Sequence, residues 1–216
     1  MHLTPILLSL LTATTALTSP PPIRRDTNTT RPAPNEIKIA SVVFAGSGCP
    51  AGSVSGNLLP DSNRLTLAYT SLTAETGGGV SAREARKNCQ HNFKIQHPPG
   101  WQFSVSRTGF RGTAGIPRGL SGAARVTFYF SGEMGRIVSE MNIRGPYDGD
   151  YLKVHEFSDA TTTWSPCGAE ALLNVNAEVR FVPVANLTET ATLSMTSLEE
   201  VELGWKSVTP SAAAAE

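Results

Sequence analysis

The 216-residue chain has no long apolar run after its N-terminal segment and no excess of charge of either sign. A membrane-spanning helix needs about 20 consecutive apolar residues, so the sequence predicts no membrane span. Lysine and arginine number 18, and aspartate and glutamate also number 18. A chain without net charge has no general attraction for phosphate backbones or anionic lipids, so nucleic acid is not an expected partner.

Catalytic and nucleotide-binding motifs are also missing. The sequence contains no G-x-S-x-G elbow, no H-E-x-x-H zinc motif and no dinucleotide fingerprint. The glycines of TGGG lack the lysine and the preceding strand that a phosphate-binding loop needs. No catalytic residue and no cofactor is therefore predicted, and a binding or structural role is favoured over catalysis.

The termini carry targeting and processing signals. Residues 1–19 contain LTPILLSLLTATTAL, too short and too rich in threonine for a membrane span, and they predict a secretory signal peptide. Residues 20–35 are rich in proline, threonine and charge, which predicts a disordered pro-segment or linker. The pair Arg24-Arg25 is either a dibasic processing site or two solvated arginines. A single domain is expected over 36–208 and a disordered tail over 209–216, in a secreted, extracellular protein.

Two N-x-[ST] sequons follow the signal peptide, at Asn28 and Asn186. In a secreted eukaryotic chain both are acceptors for N-glycosylation and belong on exposed segments. The sequence therefore predicts a glycoprotein.

A two-residue apolar period dominates the chain from Glu36 onward. It recurs in EIKIASVVFA, RLTLAYTSL, HNFKIQH, WQFSVSR, RVTFYFS, GRIVSEMNIRG, YLKVHEF and ALLNVNAEVRF. Such alternation is typical of half-buried antiparallel strands. Only one short helix is predicted, near 82–87, with Ser81 and Glu84 forming a capping box. The expected fold is an all-β antiparallel sandwich, like a jelly roll, with 8–10 strands.

Three cysteines occur in the chain. The secretory route favours disulfides, and an odd number leaves at least one cysteine without an intramolecular partner. Cys49 ends a predicted strand, whereas Cys89 and Cys167 each begin one, and antiparallel neighbours place one strand's end beside the other's start. Cys49 is therefore expected to pair with Cys89 or with Cys167.

Seven motifs together resemble the DUF4360 family, secreted proteins of unassigned function found mostly in filamentous fungi and in some bacteria. The motifs occur in the order GSGCPAGSV, RKNCQHNFKI, PPGWQFSV, FRGTAGI, FYFSG, GPYDGDY and SPCGAEALLNVNAEVR. The resemblance runs from Ile37 to Arg180. It implies a secreted all-β domain without an established activity, cofactor or catalytic residue.

The resemblance also bears on the cysteines. Fungal relatives end with a tryptophan shortly before a fourth cysteine, whereas here Trp205 is followed by KSV and Val208 takes that place. The resemblance thus implies a Cys49–Cys89 bridge and leaves Cys167 unpaired. Phe110 also departs from the family, which has tyrosine before the Arg-Gly step.

The segment RGPYDGDYLKV offers the strongest candidate site. Asp-Gly between alternating segments favours a tight hairpin turn, because glycine accepts positive φ and aspartate tolerates it. The functional alternative is a calcium site, since Asp148 and Asp150 supply two carboxylates and hard cations prefer oxygen ligands. A glycosidase-like carboxylate pair is a third interpretation, although one turn does not place carboxyl groups across a substrate.

Aromatic and histidine side chains give weaker signals. Trp164, Tyr147 and Tyr151 are candidates for a platform on which sugar rings stack, although such rings are more often core or strand-end residues. His91 and His97 lie about 20 Å apart on an extended strand, too far to share one metal ion. They are expected to be exposed or hydrogen-bonded.

Together these features predict a secreted β-sandwich that acts as a non-catalytic extracellular binding or structural module. Its expected partner is an extracellular polysaccharide of the cell wall. The alternatives are a calcium-dependent extracellular hydrolase and a secreted host-interaction effector.

Overall fold

The computed structural model describes residues 31–59, 63–158, 163–182 and 187–208. This part of the chain forms twelve strands and two short 3-10 turns, Pro34–Glu36 and Ala82–Ala85. The strands are β1 Lys38–Ala45, β2 Val54–Leu59, β3 Arg64–Tyr69, β4 Thr73–Thr76, β5 Arg86–Gln96, β6 Trp101–Ile116, β7 Ser121–Phe130, β8 Ile137–Arg144, β9 Tyr147–Glu156, β10 Glu170–Phe181, β11 Ala191–Ser194 and β12 Ser197–Ser207. Within these residues no helix is long and apolar enough to cross a membrane.

Two antiparallel sheets pack face to face. The five-stranded sheet has the order β1-β5-β10-β7-β8, and the seven-stranded sheet has the order β2-β3-β12-β6-β11-β4 with β9 paired to β6. The predicted all-β sandwich is confirmed. The expected number of strands was low, because β2, β4 and β11 are short and because a register shift in β12 interrupts its apolar alternation.

Alternating apolar side chains build the core between the sheets. In β10, every second residue from Ala171 to Phe181 is buried, and in β5 the same period buries Cys89, Phe93 and Ile95. The other sheet contributes Phe103 and Phe110, which are wholly buried. Burial of a large apolar side chain contributes about 1.5–3 kcal/mol, so this shared interior is the main stabilising feature of the fold.

Strand β6 is the longest strand and organises the seven-stranded sheet. One of its edges pairs with β12 over Trp101–Arg111 and then with β11 at Ala114 and Gly115. Its other edge pairs with β9 from Arg107 to Ile116. Beyond β9 the same edge is covered by Ser165, whose backbone N–H donates to the Phe103 carbonyl at 2.8 Å. Both edges of β6 are therefore hydrogen-bonded along most of their length.

A disulfide joins Cys49 to Cys89, and Cys167 is free and exposed. The bridge lies where β1 ends beside the start of β5, as the polarity of antiparallel strands requires. The pairing implied by the family resemblance is confirmed.

The predicted short helix is a single 3-10 turn, Ala82–Ala85. The Ser81 hydroxyl caps it by accepting from the Arg83 N–H at 3.4 Å. The Glu84 carboxylate pairs with the Lys87 ammonium group at 2.7 Å. The predicted capping box is therefore only half formed, because a cation competes for its acidic member.

The predicted hairpin at Asp148-Gly149 is wrong. Strands β8 and β9 belong to different sheets, and the chain crosses between them at Gly145-Pro146, a cis peptide bond. Gly145 approaches the preceding loop so closely that a Cβ there would lie 1.9 Å from the Pro117 carbonyl oxygen. Asp148-Gly149 lies inside β9, where Gly149 has a φ of 148°. The glycine does have a positive φ, but within a strand rather than a turn.

Candidate functional site

Three adjoining grooves run across the outer face of the seven-stranded sheet, and we call them together the trough. The first, of about 540 Å³, lies over β2, β3 and β12 and includes Asn57, Arg64 and Glu200. The second and third, each of about 420 Å³, lie along β6 and β9 toward β11. Residues Asp148 and Asp150 line these two grooves, so the trough includes the two aspartates singled out in the sequence.

Gly115 leaves a gap in the floor of the trough. It lies in β6 between Thr192 of β11 and Asp148 of β9. A Cβ at this position would meet only the Thr192 hydroxyl oxygen, at 3.3 Å, and an Asp148 carboxylate oxygen, at 3.9 Å. Packing therefore does not require glycine here. Glycine inside a strand costs about 0.5–1 kcal/mol, and it often marks a place where a ligand approaches the backbone.

Hydroxyl groups beside Gly115 are held in place by one another. The Thr113 and Ser194 hydroxyl oxygens lie 2.8 Å apart, and the Thr113 backbone N–H donates to the Ser194 hydroxyl at 3.2 Å. The Thr196 hydroxyl donates to the Arg111 carbonyl at 3.3 Å. These contacts join β6 to the β11–β12 segment, so the trough presents polar groups on a rigid support.

Each glutamate that lines the trough is paired with an arginine. The Arg111 guanidinium lies 2.6 Å from the Glu199 carboxylate, and the Arg107 guanidinium lies 3.0 Å from the Glu200 carboxylate. Glu200 has a φ of 52° and sits at the register shift in β12. Such pairing engages these carboxylates in charge-assisted contacts, which suits recognition better than proton transfer.

Asp148 and Asp150 project from the same face of β9 and are exposed. Among the described residues, no group of three or more histidine, cysteine, aspartate or glutamate side chains is placed so that it could hold a metal ion. A calcium ion bound there would take its remaining ligands from hydroxyl and carbonyl oxygens. The calcium site stays a prediction.

The three aromatic candidates do not form one platform. Tyr151 is buried, and its hydroxyl donates to the Ser194 carbonyl at 2.7 Å, so its ring offers no free face to a sugar. Tyr147 is half-buried at the end of the trough, opposite Ile116. Trp164 is half-buried near the start of β6, with the Lys206 ammonium group 4.3 Å from the centre of its ring. The last two therefore lie near opposite ends of a 16-residue strand.

Two histidines that were expected to be exposed or hydrogen-bonded are buried, and each makes one hydrogen bond through its ring. His91 is fully buried, its Nε2 lies 3.1 Å from the Tyr69 hydroxyl, and its Nδ1 has no partner among the described residues. Burial lowers the pKa of His91 to about 4. His97 is also buried, and burial lowers its pKa. The sequence did show both on the apolar face of one strand, which was the available signal.

Several sequence predictions fall outside the described residues. They are the signal peptide, the dibasic pair Arg24-Arg25, the sequons Asn28 and Asn186, and the C-terminal tail over 209–216. They stay predictions.

The chain belongs to the family described as Domain of unknown function (DUF4360), whose sequence model matches residues 35–207. A relative in Arthroderma benhamiae, named an uncharacterized secreted protein, is 40% identical over 149 residues. The alignment covers 69% of this chain and 61% of the relative, so the chain spans less than two thirds of that protein. The predicted family and the predicted secreted location are both confirmed.

Two solved structures resemble the chain weakly. One is TmCBM61 in complex with β-1,4-galactotriose, with 8% identity and a TM-score of 0.28, over 79% of this chain and 90% of that one. The other is the enzymatically active domain of tailspike protein 4 from bacteriophage CBA120, with 12% identity and a TM-score of 0.22, over 77% of this chain and 20% of that one. Likenesses of this size support no statement about function.

Proposed function

We propose that this protein is a non-catalytic extracellular module that binds a cell-wall polysaccharide in the trough. The observation that carries the proposal is Gly115, a strand glycine that packing does not require and that leaves a gap at the floor of the trough. A side chain there would fill the groove between β9 and β11. The stability that glycine costs at this position is explained if the open groove has a function.

The polar lining suits the hydroxyl groups of a sugar chain. A sugar hydroxyl both donates and accepts, and the trough offers both kinds of partner in the Thr113 and Thr192 hydroxyls, the Asn57 amide and the ion-paired side chains. The three grooves lie end to end, so an extended chain of several sugars fits better than a compact ligand. Binding through several weak hydrogen bonds of about 0.5–1.5 kcal/mol each agrees with such a surface.

Glycoside hydrolysis is less well supported by the same site. A glycosidase needs two carboxyl groups on either side of the scissile bond. Asp148 and Asp150 project from one wall of the trough, and the glutamates Glu199 and Glu200 are held by arginines. Recognition without catalysis therefore accounts for the arrangement more simply.

The test is retention of the secreted protein on insoluble chitin, β-glucan and mannan, with Gly115→Leu as the blocking variant. We expect retention on at least one polymer, and we expect Gly115→Leu to reduce it at least tenfold, since the added side chain occupies the groove floor. Gly204→Leu is the matched control, because Gly204 lies in β12 of the same sheet outside the three grooves and tolerates a Cβ at a similar 3.3 Å.

Circular dichroism and thermal unfolding would show that both variants fold. No retention of the wild-type protein on any of the polymers would overturn the proposal. Equal retention of Gly115→Leu and Gly204→Leu would remove the trough as its site.

A further inference from the structure

We propose that the outer face of the five-stranded sheet is a second binding site, which takes a carboxylate-bearing sugar of an acidic polysaccharide. We call this surface the basic face. It lies on the opposite side of the sandwich from the trough and is built from β1, β5, β10, β7 and β8. The inference does not rest on the function proposed for the trough.

Charge distinguishes the basic face from the rest of a neutral chain. Strand pairing and alternation place six basic and three acidic side chains on the outer side of this sheet. They are Lys38, Arg86, Lys94, Arg125, Arg144 and Arg180, against Glu140, Glu170 and Glu178. Positive side chains in excess on one face raise the local concentration of a polyanion.

Arginines outnumber their partners around a groove of about 300 Å³ on this face. Glu178 accepts from the Arg86 Nε at 2.7 Å and lies 3.6 Å from the Arg180 guanidinium. Glu140 lies 3.6 Å from both Arg125 and Arg180. The two carboxylates of Glu140 and Glu178 thus pair with three arginines. The guanidinium fork matches a carboxylate better than any other side-chain donor, so an incoming carboxylate completes the pairing.

Arg136 adds a cation without an acidic partner among the described residues. It is exposed at the rim of the groove, and its guanidinium carbon lies 5.7 Å from the centre of the Tyr129 ring. A planar cation beside an aromatic ring combines a charge for a carboxylate with an apolar surface for the body of a sugar. The groove therefore offers the two features that a uronic acid needs.

Two polar atoms at the groove lack hydrogen bonds within the described residues. The Asn176 Oδ1, an acceptor, and the Arg125 Nε, a donor, are both buried. They belong to neighbouring positions on β10 and β7, since Asn176 is paired with Thr127 and Arg125 with Glu178. A buried polar atom without a partner destabilises the surface that contains it. Sugar hydroxyls, which donate and accept, are suited to satisfy both atoms.

The test compares polygalacturonate with its fully methyl-esterified form by isothermal titration calorimetry. Methyl esterification removes the negative charge of each carboxylate and leaves the sugar ring and its hydroxyl groups unchanged. We expect binding of polygalacturonate only, and we expect it to weaken as salt concentration rises. Arg136→Gln should weaken it at least about tenfold, because a charge-assisted hydrogen bond is lost.

Arg83→Gln is the matched control, since Arg83 is an exposed arginine on the Ala82–Ala85 turn that lines neither this groove nor the trough. It should bind polygalacturonate like the wild type. Dextran sulfate tests for general attraction to polyanions. The proposal would be overturned if polygalacturonate did not bind, or if its methyl-esterified form bound equally well. It would also be overturned if dextran sulfate bound as well as polygalacturonate, or if both arginine variants lost the same amount of affinity. Because the probe and variants differ from those of the trough, either site can fail alone.

Discussion

The outer faces of the two sheets carry opposite charge although the chain as a whole is neutral. The five-stranded sheet presents an excess of three basic side chains. The seven-stranded sheet presents four basic and seven acidic side chains, namely Arg64, Arg107, Arg111 and Lys206 against Glu75, Asp148, Asp150, Glu156, Glu199, Glu200 and Glu202. The chain therefore has zero net charge and yet two faces of opposite charge. Its neutral composition does not exclude the binding of a polyanion to one of these faces.

The two faces also differ in relief and in how they are held. The trough is formed where glycine and short hydroxyl side chains border β6, whereas long arginine and amide side chains cover the basic face. The disulfide Cys49–Cys89 ties β5 of the five-stranded sheet to the segment after β1, and the described strands of the other sheet contain no such bridge. The seven-stranded sheet thus depends on noncovalent contacts alone, namely hydrogen bonds, packing and ion pairs.

Removing the disulfide should have the largest effect on the stability of the two-sheet structure. The bridge closes a 40-residue separation, so the chain-entropy estimate is about 4 kcal/mol, or a fall in Tm of roughly 8–16 °C. Cys49→Ser with Cys89→Ser tests this by calorimetry, and Cys167→Ser should leave Tm unchanged because that cysteine is free. A fall in Tm of less than about 2 °C in the double variant would show that the disulfide contributes little to the stability of the five-stranded sheet.

Acid should weaken the packing between the sheets through His91. Its pKa is about 4 in the folded protein and 6.5 in its ordinary state, so the unfolded chain binds a proton that the native chain does not. Stability is therefore lost as pH falls from about 6.5 to 4, by about 3 kcal/mol in total. His97, whose pKa is also lowered, acts in the same direction.

Urea unfolding at pH 7 and pH 4 measures this dependence. His91→Phe should be less stable than the wild type at pH 7, because the contact with Tyr69 is lost. Its stability should nevertheless depend less on pH. Tyr69→Phe is the control, because it removes the same contact but keeps the buried histidine, and it should keep the wild-type dependence. An unchanged dependence in His91→Phe would contradict the prediction.

Calcium should act only on the acidic face. A site at Asp148 and Asp150 with an affinity of roughly 1 mM, ordinary for extracellular modules, would stabilise the protein by about 1 kcal/mol at roughly 10 mM calcium. The expected rise in Tm, of about 2–4 °C, should vanish in Asp148→Asn. Glu156→Gln, farther along the same face of β9, is the control. Indifference of the wild-type Tm to calcium and to a chelator would remove the predicted site.

Single charge removals should have the smallest effect on stability on either face. Glu199→Gln and Arg86→Gln each break an exposed ion pair, and such pairs contribute about 0–1 kcal/mol. We expect both variants to unfold within about 4 °C of the wild type by calorimetry. A larger loss in only one of them would show that the networks on the two faces differ in structural importance.

The sequence predicted the strands that follow a strict two-residue period and missed those that do not. The centre of the five-stranded sheet, β5, β10 and β7, alternates over most of its length and could be predicted directly from the sequence. Strand β12 could not, since its register shifts at Glu200. The hairpin predicted from Asp148-Gly149 was wrong because β9 pairs with β6, which lies far away in the sequence. The residues of a local turn do not determine which distant strand becomes the partner.

The candidate site was predictable only in part. Asp148 and Tyr147 were identified from one short segment, but the trough also needs Gly115 and Thr192, which strand pairing brings beside them from two other parts of the chain. The basic face could not be predicted at all, because its arginines are spread over 86–180 and only the order of the strands gathers them. Surfaces of this kind are assembled by topology and leave no local motif.

The double pairing of β6 also has a consequence for dynamics. A strand whose amides are engaged along both edges exchanges its hydrogens with solvent only when its neighbours on both sides have opened, which demands nearly complete unfolding. Strand β6 should therefore hold some of the slowest-exchanging amides of the molecule, as should β10, which is paired along both edges in the other sheet. The floor of the trough would then belong to the part of the domain that unfolds last. A polymer would therefore bind to a surface whose shape is already fixed in the free protein.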